Sequence, residues 1–351
     1  MTPVRIVVLG TGGMAQHHAR GFAEIPGVEV VAGVDTRPAQ LSAFCEAHGI
    51  PNSFTSLDEA LLWGQFDAVT NVTPDAVHYP TTMPLLERGK HVLCEKPLAT
   101  SAADADRMAA AAQAAGVVNM VNLSYRNVPA LQQAARMVRS GQIGTVRHFE
   151  ASYLQSWLTQ PAWGDWRTES QWLWRLSTMH GSKGVLGDVG IHILDFATFI
   201  AAQNAREVSC RLATFEKAPE GRVGDYLLDA NDSVTMQLLL ENGTIGTVAA
   251  TRFASGHLND LRLRIYGDLG GLEVTFERQQ SMLRACLAPD LQTAEWREVD
   301  CPPVVPIYQR FIDAIRGEGP PDPDFARGAS LQHLLDRAED SALQAGISLA
   351  V

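Results

Sequence analysis

Short apolar runs alternate with helical patterns along the first third of the chain. β-branched runs lie at 4–9 and 28–34, and shorter apolar runs end near residues 72, 94 and 122. Turn residues and helical stretches separate these runs, as in the βα units of a parallel sheet. Strands covered by helices on both faces are apolar along their whole length, so the pattern predicts about six parallel strands.

The pattern changes beyond residue 123, where β-rich runs follow one another at short spacing. Residues 233–240 and 244–250 flank Asn242-Gly243, and this dipeptide between two such runs is a strong hairpin signal. Consecutive strands without intervening helices indicate an antiparallel sheet. Further strands are predicted at 146–153, 208–215, 261–266 and 272–276, and helices at 129–139, 307–316 and 331–345.

Together these patterns predict an α/β protein with two domains. Residues 1–122 are expected to form a doubly wound parallel sheet of the Rossmann type. Residues 123–351 are expected to form a second α/β domain with a large, mostly antiparallel sheet. We leave open that the C-terminal helix packs back on the first domain.

The predicted antiparallel sheet also suggests an oligomer. Helices of the same chain can cover only one of its faces, and the other face is expected to carry apolar residues. These are Val234, Met236, Leu238 and Leu240, or their alternates along the strand. We therefore predict a homodimer or homotetramer formed sheet to sheet.

Composition narrows the class of partner. The 351 residues carry a formal net charge of −11 without a cluster of Lys and Arg, which argues against nucleic acids and anionic membranes. No window approaches the ~18 continuous apolar residues of a membrane span. The five cysteines are scattered without a C-x-x-C pair, which indicates a reducing cytoplasm. No metal is expected, because the adjacent His17 and His18 point in different directions on a helix and lack a carboxylate partner.

A glycine motif follows the first predicted strand directly. Gly10-Thr11-Gly12-Gly13-Met14-Ala15 matches the G-x-G-x-x-G/A fingerprint in its strand–turn–helix context. Its glycines allow a tight turn and a close approach of a pyrophosphate to the helix N-terminus. Asp35 ends the second strand, where a carboxylate binds the ribose hydroxyls of NAD. Arg37 leaves NADP as the alternative, since a nearby arginine accommodates a 2′-phosphate.

Polar residues follow the later strands at their carboxyl ends. The apolar run 91–94 stops at Glu95-Lys96-Pro97, where Pro97 cannot donate a ladder hydrogen bond. Ligands of open α/β sheets bind outside the carboxyl ends of the strands. A lysine at such an edge is either a surface group or a group that carries chemistry. The predicted cofactor-binding residues lie in the loop, at the strand ends and, for His78, near the start of the next helix. They are Gly10, Thr11, Gly12, Gly13, Met14, Asp35, Arg37, Thr73, Pro74, His78, Glu95, Lys96 and Asn122.

Taken in order, these motifs resemble the Gfo/Idh/MocA family of NAD(P)-dependent oxidoreductases. The stretches that carry the resemblance are the fingerprint with Asp35, the passage from Val72-Thr73-Pro74 through His78 to Glu95-Lys96-Pro97, Asn122 with Tyr125-Arg126, and Gly187-Asp188-Val189-Gly190-Ile191-His192. The resemblance implies that residues 1–122 form the dinucleotide-binding domain and that residues 123–351 serve substrate binding and oligomerisation. It implies a substrate held between the two domains and hydride transfer on a sugar, polyol or related carbonyl compound. It also implies that the bond before Pro97 is often cis.

Asp188 and His192 are four residues apart, so on a helix they share a face. An isolated pair of this kind is usually structural, but Lys96 at a nucleotide crevice favours a catalytic role. We predict His192 as the general base in oxidation, Lys96 as the group that stabilises the developing alkoxide, and Asp188 as the residue that orients them. The predicted substrate-binding residues are Lys96, Tyr125, Arg126, Trp174, Arg175, Asp188 and His192.

Aromatic residues are concentrated ahead of this motif, with five of the seven tryptophans within 157–174. They predict either a loop packed by its own rings or a wall of a sugar pocket. Trp174-Arg175 matches a pair that is common in the family. Ser177 stands where the family usually has an acid, and Lys183 interrupts a run of small residues, so the identity of the substrate stays open.

Two other functions stay open at this point. A branch of the same family hydrolyses glycosides with transient use of bound NAD, and another protein on this fold is a sensor without catalysis. Retention of Lys96, Asp188 and His192 argues against the sensor. We predict an NAD(P)-dependent sugar or polyol dehydrogenase.

Overall fold

The computed structural model describes residues 3–161 and 163–351, without the side chains of residues 170 and 171. The helices of this part of the chain are α1 Ala15–Ala23, α2 Pro38–His48, α3 Leu57–Trp63, α4 His78–Glu87, α5 Ala102–Ala115, α6 Pro129–Arg139, α7 Ser170–Leu173, α8 Ile191–Ala201, α9 Ile307–Arg316 and α10 Phe325–Leu343. The strands are β1 Val4–Leu9, β2 Val28–Val34, β3 Asn52–Phe54, β4 Ala68–Asn71, β5 His91–Cys94, β6 Asn119–Val121, β7 Val146–Leu154, β8 Ala205–Ala213, β9 Arg222–Val223, β10 Tyr226–Leu227, β11 Ser233–Leu240, β12 Ile245–Thr251, β13 Asp260–Gly267, β14 Gly270–Glu277, β15 Gln280–Leu287, β16 Arg297–Glu298 and β17 Leu349–Ala350.

The chain divides into two compact units, one of residues 1–124 with 305–332 and one of residues 125–304 with 333–351. The first unit contains a six-stranded parallel sheet of order β3-β2-β1-β4-β5-β6. This confirms the predicted Rossmann-type sheet. The predicted domain division at residues 122 and 123 stays a prediction.

Local sequence signals set the helix ends of the first unit. Ser56 and Ser101 cap α3 and α5 by accepting a hydrogen bond from the backbone N–H three residues on. Gly49, Gly64 and Gly116 end α2, α3 and α5 in the left-handed conformation, which glycine adopts without a steric penalty. These signals make the βα connections short and place the strand ends along one edge of the sheet.

Helix α9 belongs to the same unit. Its buried Ile307, Phe311 and Ile312 join a core cluster with Ile6 and Phe22. Apolar burial of this extent holds the late helix on the sheet formed by the first third of the chain. The helix therefore supplies residues to the interior of the nucleotide-binding fold.

The second unit is organised around a nine-stranded sheet of order β16-β15-β14-β13-β7-β12-β11-β8-β17. Its pairings are antiparallel except that of β7 with β12. The predicted hairpin is confirmed, because β11 and β12 pair directly across Asn242-Gly243. Both predicted sheets are thus present, and the α/β class is confirmed. Strand β15 had no counterpart in the prediction, and α10 begins at Phe325 rather than at residue 331.

The burial of β11 corrects one expectation about this sheet. Val234, Met236, Leu238 and Leu240 are buried, on the face that α6 and α8 cover, and so cannot form an apolar outer face. The alternate positions Thr235 and Gln237 are exposed and polar. Charged side chains continue the outer face across the neighbouring strands, in the row Glu150, Arg264, Glu273 and Arg284.

Within the described residues, no helix has both the length and the apolar character that a membrane crossing requires.

Candidate active site

The loop between β1 and α1 provides an anion-binding cradle. Gly10 has a φ of +87°, and a Cβ there would lie 2.7 Å from the carbonyl oxygen of Val72. A Cβ on Gly12 or Gly13 would meet no atom within 4 Å, so the backbone is open to a ligand on that side. Met14 precedes α1 without a capping hydrogen bond from its side chain. The first turn of α1 is thereby left open to a phosphate group, and the residues present fit a dinucleotide.

Asp35 ends β2 beside this loop, and its carboxylate already has several partners. Thr11 donates to Oδ2 from its backbone N and its Oγ1, at 2.9 and 2.8 Å. Arg37 donates to Oδ1 from its backbone N and Nε and to Oδ2 from a terminal nitrogen. Although burial opposes ionisation, these hydrogen bonds hold the pKa of Asp35 well below its ordinary value. The Arg37 side chain is 63% exposed, so a ribose can displace it from the carboxylate at little packing cost.

The ends of β4 and β5 are braced by His78. Its Nδ1 contacts the carbonyl oxygen of Pro97 at 2.8 Å, and its Nε2 contacts that of Thr73 at 2.9 Å. Burial alone would lower the pKa of His78, but the neighbouring Cys94 and Asp75 and the carbonyl of Pro97 raise it to about 10. The imidazole is fully buried. It is therefore placed to position Thr73 and Pro97 rather than to contact a cofactor itself. Pro74 starts the turn before α4, and the Lys96–Pro97 peptide bond is cis.

Glu95 lies at the centre of a buried polar network. Its Oε1 accepts hydrogen bonds from His18 Nε2 at 2.8 Å and from Asn122 Nδ2 at 2.6 Å, and its Oε2 accepts from the backbone N of Lys96 at 3.1 Å. Burial would raise the pKa of Glu95, but the hydrogen bond from His18 and the charges of His18 and Lys96 lower it to about 2. An ionised, immobile carboxylate thus fixes the backbone that carries Lys96.

The second unit places Asp188 and His192 on consecutive turns. Asp188 lies in a π-helical turn, Leu186–Gly190, and His192 lies in the first turn of α8. Such wide turns occur frequently at functional sites. Asp188 Oδ2 accepts a hydrogen bond from a terminal nitrogen of Arg252 at 3.0 Å and is 3.6 Å from Nε of Arg175. Two arginines therefore hold a partly exposed carboxylate.

Tyr125 extends this group of residues. Its ring meets that of His192 edge to face, with 4.9 Å between centroids. Burial first, and then the charge of Asp188, raise the pKa of Tyr125 to about 12. The ring is therefore a neutral phenol that shares an environment with both predicted catalytic residues of this unit.

Two domain models of one protein family match most of the sequence. Residues 4–123 match the model described as "Oxidoreductase family, NAD-binding Rossmann fold", and residues 131–273 match the GFO/IDH/MocA C-terminal domain. The chain belongs to the Gfo/Idh/MocA family. The predicted family resemblance is thereby confirmed, and the chain is an NAD-binding oxidoreductase with NAD as its cofactor.

Relatives in this family cover the whole chain. A crystal structure of an oxidoreductase domain protein from Kribbella flavida has a TM-score of 0.87 and 31% identity, covering 100% of both chains. Levoglucosan dehydrogenase from Pseudarthrobacter phenanthrenivorans is 25% identical over 97% of each sequence. A structure of levoglucosan dehydrogenase with NADH and L-sorbose has a TM-score of 0.87, covering 100% of this chain and 99% of that one.

Three side chains around the site of this Gfo/Idh/MocA member, those of His18, Tyr308 and Arg252, were not predicted from its sequence. His18 was considered only as a metal ligand, yet it is buried and bonds Thr70 Oγ1 at 2.7 Å as well as Glu95. Its helical spacing from the buried Ala15 and Phe22 was the signal, because positions 15, 18, 19 and 22 share one face. Tyr308 of α9 packs on the His18 ring with 4.9 Å between centroids, a contact that no local pattern predicts.

Arg252 is the third unpredicted side chain. It is fully buried, donates to the carbonyl oxygen of Arg175 at 3.0 Å, and lies over the ring of Trp157 at 5.0 Å. Burial lowers its pKa, an effect that Asp188 opposes. Its local sequence is that of an ordinary strand end, and the packing of the turn Leu186–Gly190 on β12 brings it to Asp188.

Predicted substrate residues of the second unit differ in their surroundings. Arg126 is buried, binds both carboxylate oxygens of Asp195 at 2.6 and 2.8 Å, and stacks on Phe199. This pairing indicates a structural role and argues against the predicted contact of Arg126 with substrate. Trp174 is 37% exposed and lies under the Arg175 guanidinium, so both side chains are accessible to a ligand.

The tryptophan-rich segment forms a small hydrophobic cluster of its own. Trp157 and Trp166 are buried in it with Leu158, Leu173 and Leu228, while Trp163 and Trp172 pack at its margin. The interpretation as a loop packed by its own rings therefore fits most of the segment. Trp174 alone among these rings is exposed enough to serve as a pocket wall.

Proposed function

We propose that the chain is an NAD-dependent dehydrogenase that oxidises a hydroxyl group of a sugar, an inositol or another polyol, or reduces the corresponding carbonyl. The observation that carries this proposal is Lys96, which directly follows the ionised, buried Glu95 at the carboxyl end of β5. That strand pairs with β4, and β4 pairs with β1, whose end carries the glycine loop. Lysine is thus presented at the binding edge of the nucleotide fold.

The acid–base roles follow from the chemistry of alcohol oxidation. An alcohol carbon loses hydride readily only when its hydroxyl proton leaves, and histidine is suited to accept that proton near neutral pH. In this proposal His192 takes the proton, Lys96 stabilises the developing alkoxide, and Asp188 holds the substrate and orients His192 or Lys96. NAD, when bound, accepts the hydride.

The substrate class rests on the relatives and on the surroundings of Asp188. One relative is named for levoglucosan, and a 1,5-anhydro-D-fructose reductase from Ensifer adhaerens is 30% identical over 71% of this chain and 66% of its own length. Tyr125, Trp174 and Arg175 supply an aromatic surface and hydrogen-bonding groups of the kind that sugars use. A neutral, polyhydroxylated substrate is therefore expected.

Location and assembly belong to the same proposal. The five cysteines are all free, which fits a reducing cytoplasm.

A homodimer or homotetramer is proposed through the outer face of the nine-stranded sheet, where alternating Arg and Glu side chains offer paired charges to a second copy. Light scattering should give a mass of two or four chains at micromolar concentration, and a stable monomer would contradict the assembly.

The experiment that tests the catalytic roles compares matched variants. Lys96→Ala and His192→Ala should each lower turnover by about 10²–10⁴-fold, which is the usual contribution of an acid–base group. NAD binding, measured by calorimetry, should survive in both. Lys90→Ala, at the opposite end of the same strand, and His148→Ala, on the outer sheet face, serve as controls and should keep turnover. Unchanged turnover in either catalytic variant would refute its assigned role.

A further inference from the structure

A chain of hydrogen bonds in the second unit runs from a buried indole to Tyr125. Its five members, here called the relay, are Tyr125 in the turn after β6, Tyr153 of β7, Gln155 and Trp157 after that strand, and Asn259 in the loop before β13. The bonds join Trp157 Nε1 to Gln155 Oε1 at 3.2 Å, Gln155 Nε2 to Asn259 Oδ1 at 2.7 Å, Tyr153 Oη to Asn259 Oδ1 at 3.0 Å, and Tyr125 Oη to Tyr153 Oη at 2.5 Å.

The indole fixes the direction of the first bonds. Trp157 Nε1 can only donate, so Gln155 must present its carbonyl oxygen to the indole. The amide nitrogen of Gln155 then faces Asn259 and must donate to it, which makes the facing atom of Asn259 its oxygen. Flipping either amide would place one N–H donor directly against another. Because the indole can only donate, it determines the orientation of both amides.

The two phenols complete the order. Because Asn259 Oδ1 only accepts, the hydroxyl of Tyr153 donates to it. The single proton of Tyr153 is then committed, so in the bond between the phenols Tyr125 is the donor and Tyr153 the acceptor. This order requires that both phenols keep their protons. Burial raises the pKa of Tyr125 to about 12 and that of Tyr153 well above its ordinary value, so both are neutral.

We propose that the relay makes Tyr125 an obligate hydrogen-bond acceptor toward the substrate and thereby a determinant of specificity. The proton of Tyr125 points at Tyr153, which leaves the lone pairs of its oxygen for a ligand next to the His192 ring. A substrate hydroxyl can donate there, whereas a fluorine, an ether oxygen or a carbonyl at the same position cannot. Discrimination in this direction is strong, because a ligand without a donor leaves a half-buried acceptor unpaired. This specificity rests on the proposed function, but the polarity of the relay does not.

Neutron diffraction from a deuterium-exchanged crystal tests the polarity directly. We expect the deuteron of Tyr153 on the line to Asn259 Oδ1 and the deuteron of Tyr125 on the line to Tyr153. Density for the Tyr153 deuteron on the side of Tyr125 would overturn the proposal. This measurement needs neither a substrate nor activity.

Kinetics test the consequence for specificity. Levoglucosan, methyl glucosides and scyllo-inositol are compared with their monodeoxyfluoro analogues, in which one hydroxyl is replaced by a group that cannot donate. For one hydroxyl of the substrate, other than the one that is oxidised, replacement by fluorine should lower kcat/KM by about 10- to 100-fold. In Tyr125→Phe this penalty should disappear, because the acceptor is gone.

In its ionised form, Gln155→Glu replaces the amide donor that faces Asn259 with an acceptor and still accepts from the indole. Asn259 must then turn its amide nitrogen toward residue 155 and Tyr153, and the direction of every bond beyond residue 155 reverses. Tyr125 becomes a donor, so the same penalty should shrink to within about 3-fold. Trp166→Phe is the matched control, because its buried indole donates to the carbonyl of Leu158 and lies outside the relay.

The outcomes separate this inference from the proposed function. If no compound of the panel is oxidised while the deuterons lie as expected, the proposed function fails and the polarity stands. If sugars are oxidised but the penalty persists in both Tyr125→Phe and Gln155→Glu, the inference fails and the dehydrogenase stands. If Trp166→Phe also loses the fall in kcat/KM on fluorine replacement, the inference is contradicted.

Discussion

Glu95→Gln is the most informative single change in the nucleotide-binding unit. The substitution keeps the size of the side chain and replaces one carboxylate oxygen with an amide nitrogen. Oε1 faces two donors, His18 Nε2 and Asn122 Nδ2, and Oε2 faces the backbone N of Lys96. In either orientation the new amide therefore places a donor against a donor.

Two estimates of the cost agree. The pKa of Glu95 is about 2 against an ordinary 4.5, and at ~1.36 kcal/mol per pKa unit this difference corresponds to about 3 kcal/mol. Breaking a buried ionic interaction by removing one partner costs about 3–5 kcal/mol in general. A domain of this size loses roughly 2–4 °C in Tm per kcal/mol, so the unit should melt about 10 °C lower.

The loss must depend on pH in one direction. An acid whose pKa is depressed on folding contributes its full stability above the unfolded pKa and loses it as the pH falls through the folded one. The Tm difference between wild type and Glu95→Gln should therefore be widest above about pH 5 and should shrink by more than half near pH 3. Circular dichroism melts across this range measure it.

A surface substitution serves as the control. Glu295→Gln removes a carboxylate that pairs with an exposed arginine, and it should cost no more than about 1 kcal/mol. If Glu95→Gln melts within the range of this control at pH 7, or if its Tm deficit is unchanged at pH 3, the buried network does not hold Lys96 as described.

Other predictions concern cofactor choice and packing of the second unit. Arg37→Ala exposes the Asp35 carboxylate, which then repels the 2′-phosphate of NADP. The kcat/KM for NADP should fall by about 10-fold or more, while the kcat/KM for NAD should stay within about 3-fold. Equal losses for both cofactors would contradict this prediction. Lys217→Met leaves Asp232 buried without its ammonium partner, 2.5 Å away, and should destabilise the protein by about 3–5 kcal/mol in urea titrations. The double variant with Asp232→Asn should recover at least half of that loss, and no recovery would rule out charge as the cause.

Periodicity and turn chemistry predicted the parts of the fold that are local in sequence. Five of the six parallel strands, the β11–β12 hairpin across Asn242-Gly243 and the glycine loop each carry their signal within a few residues, whereas β3 was not located. The outer face of the second sheet was harder to predict. Alternation assigns residues to two faces but does not indicate which face the helices cover. Val234 and its apolar neighbours consequently lie on the face of the sheet that α6 and α8 cover and not on the outside.

The site was predicted only where its residues carry a local signal. Asp35, Glu95 and Asn122 follow strands, and the rule for open sheets places them at one edge. His18, Arg252 and Tyr308 enter the site's surroundings through pairings between segments far apart in the chain. Their positions follow from strand order and helix packing, which a single sequence does not specify residue by residue.

The central claim is hydride transfer between a hydroxyl-bearing carbon and NAD, with Lys96 and His192 as the acid–base system. The most direct measurement incubates the protein with NAD and a panel of monosaccharides, anhydrosugars, inositols and glycosides, and follows the absorbance of reduced nicotinamide. We predict that at least one compound forms NADH in equal amount with its oxidised product, and that Lys96→Ala and His192→Ala suppress this reaction. Binding of NAD without reduction by any compound, or release of a glycoside's leaving group without net NADH, would contradict the account.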